Sequence, residues 1–144
     1  MDKFLLVALK EAKKARELGE VPIGACIVKN GKVIAKGHNE REKAQIATRH
    51  AEIVAIEKAC KKLKSWRLDG CTMYVTVEPC VMCLGAVLNA RIDKVFYGAK
   101  DYNGGCEDIL STVNGLLNWK TQLEYLEEIE CSKILTEFFK SRRK

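Results

Sequence analysis

The sequence has few of the residues that mark linkers, membrane spans or secreted chains. Only two of its 144 residues are proline, and no repeat or low-complexity tract occurs, which excludes a proline-rich linker. The longest apolar runs, such as residues 4–9, are far shorter than the roughly 20 residues of a membrane-spanning helix. No charged start, apolar run and small-residue cleavage site follow one another near Met1. We therefore expect a single domain over residues 1–144 that is cytoplasmic and has no membrane partner.

Histidine occurs only twice, whereas cysteine occurs seven times. An odd, irregularly spaced set of cysteines in a chain without a secretion signal argues against a disulfide framework. We expect the thiols at positions 26, 60, 71 and 131 to be buried core residues. Only Cys80 and Cys83 have the spacing of a metal-ligand pair.

Positive charge is in excess, with a formal net charge of +6. Lysines and arginines gather in residues 61–67 and again in residues 140–144. Such clusters suit a phosphate backbone, although many are simply solvated faces. Charge alone therefore does not establish a nucleic-acid partner.

The hydrophobic pattern predicts alternating helices and strands. Apolar residues recur at helical spacing over residues 4–18, between Asp2 as an N-cap and Gly19 as a stop. Strand-like runs at residues 24–28 and 32–36 flank Asn-Gly, the strongest short hairpin signal. The other predicted elements are helices over residues 51–63, 81–88 and 130–140 and strands over residues 72–77, 94–97 and 123–126. This order predicts an α/β protein, a three-layer α/β/α sandwich with a mixed central sheet of about five strands, and leaves residues 102–119 as surface loop and short helix near the site.

Two short motifs carry the chemistry. His50-Ala51-Glu52 and Pro79-Cys80-Val81-Met82-Cys83 together supply one imidazole, two thiolates and one carboxylate. A structural zinc site is closed by four protein ligands, whereas a catalytic site keeps its fourth position for water. The motifs therefore predict a catalytic zinc held by His50, Cys80 and Cys83, with Glu52 as proton carrier.

The spacing of these residues restricts where they can lie in the secondary structure. Cys80 and Cys83 are three apart where a strand gives way to a helix, so both sulfurs share one face of the first turn, where the helix dipole favours thiolate. His50 and Glu52 are two apart and would not share a face of a regular helix. They must therefore lie at the very start of the helix over residues 51–63.

A zinc ion lowers the pKa of its bound water towards about 7. A neighbouring carboxylate can take the water's proton, deliver it to a ring nitrogen and later help to protonate a departing amine. The predicted reaction is hydrolytic deamination at an amidine-like ring carbon. A structural zinc site or a thiol-redox motif is the alternative, but the only other histidine, His38, lies twelve residues before His50.

His-x-Glu followed by Pro-Cys-x-x-Cys is the signature of the zinc nucleobase deaminases. Six further segments extend the match: residues 20–25, 37–39, 74–78, 90–92, 97–101 and 138–143. With them, the chain resembles the bacterial tRNA-specific adenosine deaminases over nearly its whole length.

That resemblance implies a cytidine deaminase-like fold, a homodimer with one Zn²⁺ per subunit, and conversion of the wobble adenosine of a tRNA anticodon to inosine. It implies that His50, Cys80 and Cys83 hold zinc and that Glu52 is the proton shuttle. The residues it implies for binding the anticodon stem-loop are Val21, Pro22, Ile23, Asn39, Glu78, Asp101, Phe139, Arg142 and Arg143.

Within that set, Asn39 would hold the flipped nucleoside, residues 21–23 would wall the base pocket, and Asp101 would contact flanking nucleotides. The helix over residues 138–143 would lie along the anticodon loop. Plainer interpretations stay open: Asn39 as a turn residue, residues 21–23 as the start of a strand, one of the two phenylalanines as core, and the basic end as a solvated tail.

The sequence also departs from the family. Arg49 replaces a small residue before the ligand His50, so we expect it to narrow the pocket or to contact a phosphate. Residues 122–128 run on without the family's glycine.

Residues 55–60 and 83–86 also resemble the guanine deaminases. A free-base deaminase acting on guanine or cytosine therefore remains an alternative, with a noncatalytic RNA-binding subunit as another. The basic ending favours tRNA, and Glu52 favours catalysis.

Overall fold

Five strands form one mixed sheet in the computed structural model, which describes residues 1–101, 104–107, 109 and 121–142. The strands are β1 (Gly24–Lys29), β2 (Lys32–His38), β3 (Cys71–Val77), β4 (Lys94–Ala99) and β5 (Gln122–Tyr125). Their order across the sheet is β2-β1-β3-β4-β5. β1 pairs antiparallel with β2 and β3, whereas β3, β4 and β5 run parallel. The predicted mixed sheet is confirmed.

Helices cover both faces of this sheet. The helices are α1 (Lys3–Glu17), α2 (Arg41–Ala44), α3 (Ala51–Leu63), α4 (Val81–Ala90) and α5 (Ile129–Arg142). Successive side chains of a strand point to opposite faces, so Ile27 packs in the core with α3 and α4, and Cys26 packs in the core with α1 and α5. The predicted α/β/α sandwich is therefore confirmed. Within the described ranges, no helix has both the length and the apolar content needed to cross a membrane.

Local signals explain most element boundaries. Oδ1 of Asp2 accepts hydrogen bonds from the backbone N–H groups of Phe4 at 2.8 Å and Leu5 at 3.0 Å, as an N-cap does. Asn30 and Gly31 have positive φ angles of 52° and 75°, which a tight hairpin turn requires. Helix α3 has the predicted bounds, and most other elements extend slightly beyond theirs. The predicted loop and short helix over residues 102–119 lie largely outside the described residues.

Helix α2 is absent from the sequence prediction. Its first N–H groups are capped from elsewhere: Oε1 and Oε2 of Glu20 accept from the backbone nitrogens of Glu42 at 3.0 Å and Lys43 at 2.6 Å. Glu20 is only 1% exposed, so its carboxylate is buried against these donors. A four-residue helix has no readable periodicity, and its stability comes from a side chain 22 residues away. Glu20 thereby ties the segment before β1 to the segment after β2.

Close packing brings the start of α3 onto the sheet. A Cβ atom added at Gly37 of β2 would lie 2.6 Å from the carbonyl oxygen of Ala51 and 2.8 Å from the backbone nitrogen of Ala55. Only glycine permits this approach of strand and helix backbones. The first turn of α3 is therefore held directly against β2.

Candidate active site

Two helix N-termini meet at the three predicted metal ligands. His50 is the N-cap of α3 with extended backbone angles (φ −77°, ψ 157°), and Cys80 is the N-cap of α4 (φ −76°, ψ 175°). Cys83 lies in the first turn of α4. His50 Nδ1 is 3.8 Å from Cys80 Sγ and 3.6 Å from Cys83 Sγ. His50 and Glu52 lie at the start of their helix, as their spacing in the sequence predicts.

The donor set fits a zinc ion. Tetrahedral zinc bonds to sulfur at about 2.3 Å and to imidazole nitrogen at about 2.0–2.1 Å, which separates these donor atoms by about 3.6 Å. The two nitrogen–sulfur distances match that value, and the ligand atoms of His50, Cys80 and Cys83 all lie within 4.8 Å of one another. Three donors of this kind leave one tetrahedral position for a water molecule.

The protonation state of Cys80 also suits a metal ligand. Hydrogen bonds with Cys83 and His50 lower the pKa of the Cys80 thiol to about 3. Cys80 is therefore a thiolate at neutral pH, the form that binds metal. The hydrogen bond with Cys80, together with burial, raises the pKa of Cys83, and the pKa of His50 is raised chiefly by its hydrogen bond with Cys80.

Glu52 lies in the first turn of α3 and is 4% exposed. Burial raises the pKa of its carboxyl to about 7, because a charged carboxylate is disfavoured away from water. A carboxyl that titrates near neutral pH can both accept and release a proton during turnover. The environment of Glu52 therefore suits a proton shuttle.

A cavity of about 100 Å³ opens beside these groups. Its lining residues are Val21, Ile23, Asn39, Arg41, His50, Ala51 and Glu52. The sequence predicted that Val21, Ile23 and Asn39 lie near His50 and Glu52, and the structure brings them together around one space. Pro22 is buried and does not line this cavity.

Asn39 has two contacts besides its place at the cavity. Its Nδ2 donates to the carbonyl oxygen of Val21 at 3.4 Å, and its Oδ1 accepts from the backbone nitrogen of Arg41 at 3.1 Å. The side chain is 7% exposed. Asn39 therefore caps the turn before α2 and at the same time lines the cavity.

Arg41 is the lining residue that sequence reasoning missed. It is the second residue after Asn39, at the start of α2, and this short helix turns it towards the cavity. In the described part of the chain, no carboxylate forms an ion pair with its guanidinium. The available signal was an arginine two residues after Asn39, in the segment that follows the predicted strand over residues 32–36.

Glu78 lies outside the cavity and organises the loop after β4. Its Oε1 accepts from the backbone nitrogen of Asp101 at 3.2 Å, and its Oε2 accepts from that of Glu107 at 2.8 Å. A Cβ atom at Gly105 would lie 2.4 Å from this carboxyl, so the backbone of Gly105 passes directly over it. The two oxygens of Glu78 thus hold Asp101 and Glu107, and Glu78 itself lies two residues before Cys80, the N-cap of α4.

The terminal helix α5 lies with α1 on the face of the sheet opposite α3 and α4. Phe138 is buried, whereas Phe139 is 45% exposed. Nη2 of Arg142 donates to the carbonyl oxygen of Gly19 at 3.0 Å, which docks the end of α5 near the end of α1. Arg143 lies outside the described residues. None of the described residues of α5 lines the cavity.

Arg49 does not narrow the cavity. Its Nη1 is 2.6 Å from Glu57 Oε1, and its Nε is 3.4 Å from Glu40 Oε1. The guanidinium is thus held between two carboxylates and is not among the lining groups. The pocket beside His50 is consequently bounded by Ala51 and Glu52, without the bulk of Arg49.

A five-stranded mixed sheet between helical layers, with a His-Cys-Cys site and a buried glutamate at one cavity, defines the class of hydrolytic deaminases with a cytidine deaminase-like fold. The sequence model of the MafB19-like deaminase family matches residues 2–143. The chain is 48% identical over 144 residues to the tRNA-specific adenosine deaminase of Bacillus subtilis (strain 168), covering 98% of this chain and 89% of that protein. It belongs to the tRNA-specific adenosine deaminase family.

Solved structures agree with this membership. A structure from studies of A-to-I editing by tRNA:A34 deaminases at the wobble position superposes with a TM-score of 0.86 at 40% identity, over 92% of this chain and 98% of that one. The guanine deaminase of Bacillus subtilis superposes with a TM-score of 0.65 at 44% identity, over 69% of this chain and 66% of that one. The match to the tRNA:A34 deaminase extends over more of both chains.

Proposed function

We propose that this protein hydrolyses adenosine to inosine, with release of ammonia, at the wobble position of a tRNA anticodon. The observation that carries the proposal is one cavity bounded by Glu52, the ligand His50 and the predicted base-binding residues, in a member of this family. An anticodon loop can present a single unstacked base, which is how nucleobase deaminases gain access to their target atom.

His50, Cys80 and Cys83 would hold zinc, and a bound zinc ion supplies an activated water for attack on the ring carbon. Glu52 would accept a proton from the attacking water, deliver it to the neighbouring ring nitrogen and then assist protonation of the departing amine. Because Glu52 is 4% exposed, bulk water does not compete for that proton. The carboxyl is thus both general base and general acid.

The walls of the cavity would hold the base. Val21 and Ile23 offer apolar surface to the faces of a flat ring, and Asn39 offers an amide to the nucleoside. We assign Pro22 to the support of this wall, since it is buried between the two lining residues. This division of apolar walls and few polar groups is typical of small-ligand sites.

RNA contacts beyond the flipped base are proposed for Asp101, Phe139, Arg142 and Arg143, and Glu78 would act indirectly by holding Asp101 through its backbone nitrogen. Glu78, two residues before the N-cap of α4, holds the backbone nitrogens of Asp101 and Glu107. Phe139 exposes 45% of its surface, which allows a base to stack on it. The net charge of +6 and the basic end of the chain favour a phosphate backbone. A cytoplasmic location follows from tRNA as the proposed substrate.

A substrate comparison tests this function. We expect the zinc-loaded protein to produce inosine in an anticodon stem-loop with adenosine at the wobble position, and to leave free guanine and free cytosine unchanged. A stem-loop with guanosine at the wobble position is the matched control and should not react. Guanine turnover without inosine in the RNA would contradict the proposal and favour the free-base alternative, which the likeness to guanine deaminase supports.

We infer a homodimer that forms through the outer face of α4. Val81 is 55% exposed there, and a Cβ atom at Gly85 would meet no atom within 4 Å. An apolar helix face with a glycine lets a second copy approach closely. This surface adjoins Cys80 and Cys83, so dimerisation would also shield the metal site.

Gly85→Arg should convert the dimer to a monomer, because the new side chain projects outwards from α4 into the inferred interface. Arginine is a better helix former than glycine, so the helix itself is not weakened. Sedimentation velocity measures the result, and Glu17→Arg on the opposite layer is the control that should remain dimeric. A wild-type monomer, or a dimeric Gly85→Arg variant, would exclude this interface.

A further inference from the structure

Arg49 connects two segments that border the cavity. Its guanidinium contacts Glu57, which lies on α3 two turns after His50, and Glu40, which directly follows Asn39. The backbone reinforces the link, since the N–H of Glu40 donates to the carbonyl oxygen of Arg49 at 3.0 Å. Arg49 is therefore joined to the helix that carries Glu52 and to the turn that carries Asn39.

The series of side-chain contacts continues from Glu40 away from the cavity, through His38 to α1. Oε2 of Glu40 is 3.8 Å from Nε2 of His38, and Nδ1 of His38 is 3.1 Å from Oε1 of Glu11. Glu11 is buried on α1, with its side chain 5% exposed. The turn after β2 is thus held from α3 on one side and from α1 on the other.

We propose that Arg49 is a positioning residue, which fixes the distance between Asn39 and the first turn of α3 and does not contact the phosphates of the RNA. This inference rests on the proposed function. An arginine already engaged by two carboxylates carries little net positive charge to offer a phosphate. Its position next to His50 therefore serves the geometry of the pocket.

The size of the effect follows from the strength of the restraint. Partly exposed ion pairs are individually weak. The loss of RNA-binding free energy in a variant of Arg49 can therefore be no larger than the free energy of the ion pairs that hold Arg49 in place. We therefore expect Arg49→Ala to weaken binding of the anticodon stem-loop about three- to tenfold. Zinc content and melting temperature should stay close to those of the parent.

The decisive comparison uses Glu57. If Arg49 positions Asn39, Glu57→Ala removes an anchor and weakens RNA binding, although it also removes a negative charge. If Arg49 instead contacts a phosphate, the loss of Glu57 frees the guanidinium and strengthens binding. The two interpretations thus predict opposite signs.

Dissociation constants should be measured for the anticodon stem-loop by fluorescence anisotropy at several salt concentrations, in a Glu52→Gln background that prevents turnover. Arg49→Ala combined with Glu57→Ala should bind as Arg49→Ala alone does, because Glu57 has nothing to hold once Arg49 is gone. Arg49→Lys should restore binding only in part, since an ammonium cannot span both carboxylates as a guanidinium does. The salt dependence should match that of the parent.

Lys94→Ala is the matched control, because it removes one cation from a similar ion pair, with Glu124 at 2.9 Å, at the opposite end of the sheet. It should bind RNA as the parent does. Two results would show that Arg49 contacts a phosphate and would overturn the inference. One is tighter RNA binding by Glu57→Ala. The other is a slope of log binding constant against log salt concentration that is smaller by about one in Arg49→Ala than in the parent. Unchanged binding in both variants would also overturn it. Absence of inosine with the wild-type protein would instead refute the proposed function.

Discussion

Glu52→Gln should lower the rate of adenosine deamination by at least about 10³-fold while the protein keeps its metal. The amide has the shape of the carboxyl but cannot accept a proton from water or pass one to the base. Because burial raises the pKa of Glu52 to about 7, the neutral carboxyl is already well tolerated here, and the neutral amide should not disturb the fold. Single-turnover inosine formation in the stem-loop measures the rate, and elemental analysis measures zinc per chain.

Glu17→Gln, on the exposed surface of α1, controls for a general effect of the substitution and should retain full activity. Two results would remove Glu52 from the proposed role. Turnover within tenfold of the wild type would show that another group moves the proton. Loss of zinc would show that Glu52 is needed to retain the metal, and the lower rate would then have a different cause.

The grouping of His50, Cys80 and Cys83 could be predicted from the sequence because its geometry is local. His50 and Glu52 are two residues apart, so only a helix start lets both reach one point, and the structure has His50 as the N-cap of α3. The same holds for Cys80 and Cys83 at the start of α4. Strand and helix periodicity supplied the rest of the sandwich, because each core face repeats along its own element.

The cavity wall could not be predicted in the same way, because it depends on contacts distant in sequence. Helix α2 exists because buried Glu20 caps it, and α2 in turn directs Arg41 to the cavity. Arg49, although adjacent to His50, is drawn away by Glu40 and Glu57. Neighbouring position along the chain therefore failed as a guide to which arginine faces the site.

Cys83→Ala should reduce zinc affinity at least about 100-fold and abolish deamination. The sulfur of Cys83 is fully buried beside His50 Nδ1, so water cannot readily replace it as a third donor. Metal binding also stabilises the folded state, by about 2.7 kcal/mol when free zinc exceeds its dissociation constant 100-fold. A chelator should therefore lower the melting temperature of the wild type and have little effect on Cys83→Ala.

Cys26→Ala is the control that distinguishes the effect of losing a metal ligand in Cys83→Ala from the effect of losing any buried thiol. Cys26 is also fully buried, but its thiol donates to the carbonyl oxygen of Phe4 at 3.4 Å in the core beside α1, and it does not belong to the group formed by His50, Cys80 and Cys83. This variant should lose some packing stability while keeping zinc, activity and the melting response to chelator. If Cys83→Ala bound one zinc per chain as tightly as Cys26→Ala, the coordination by His50, Cys80 and Cys83 would be wrong.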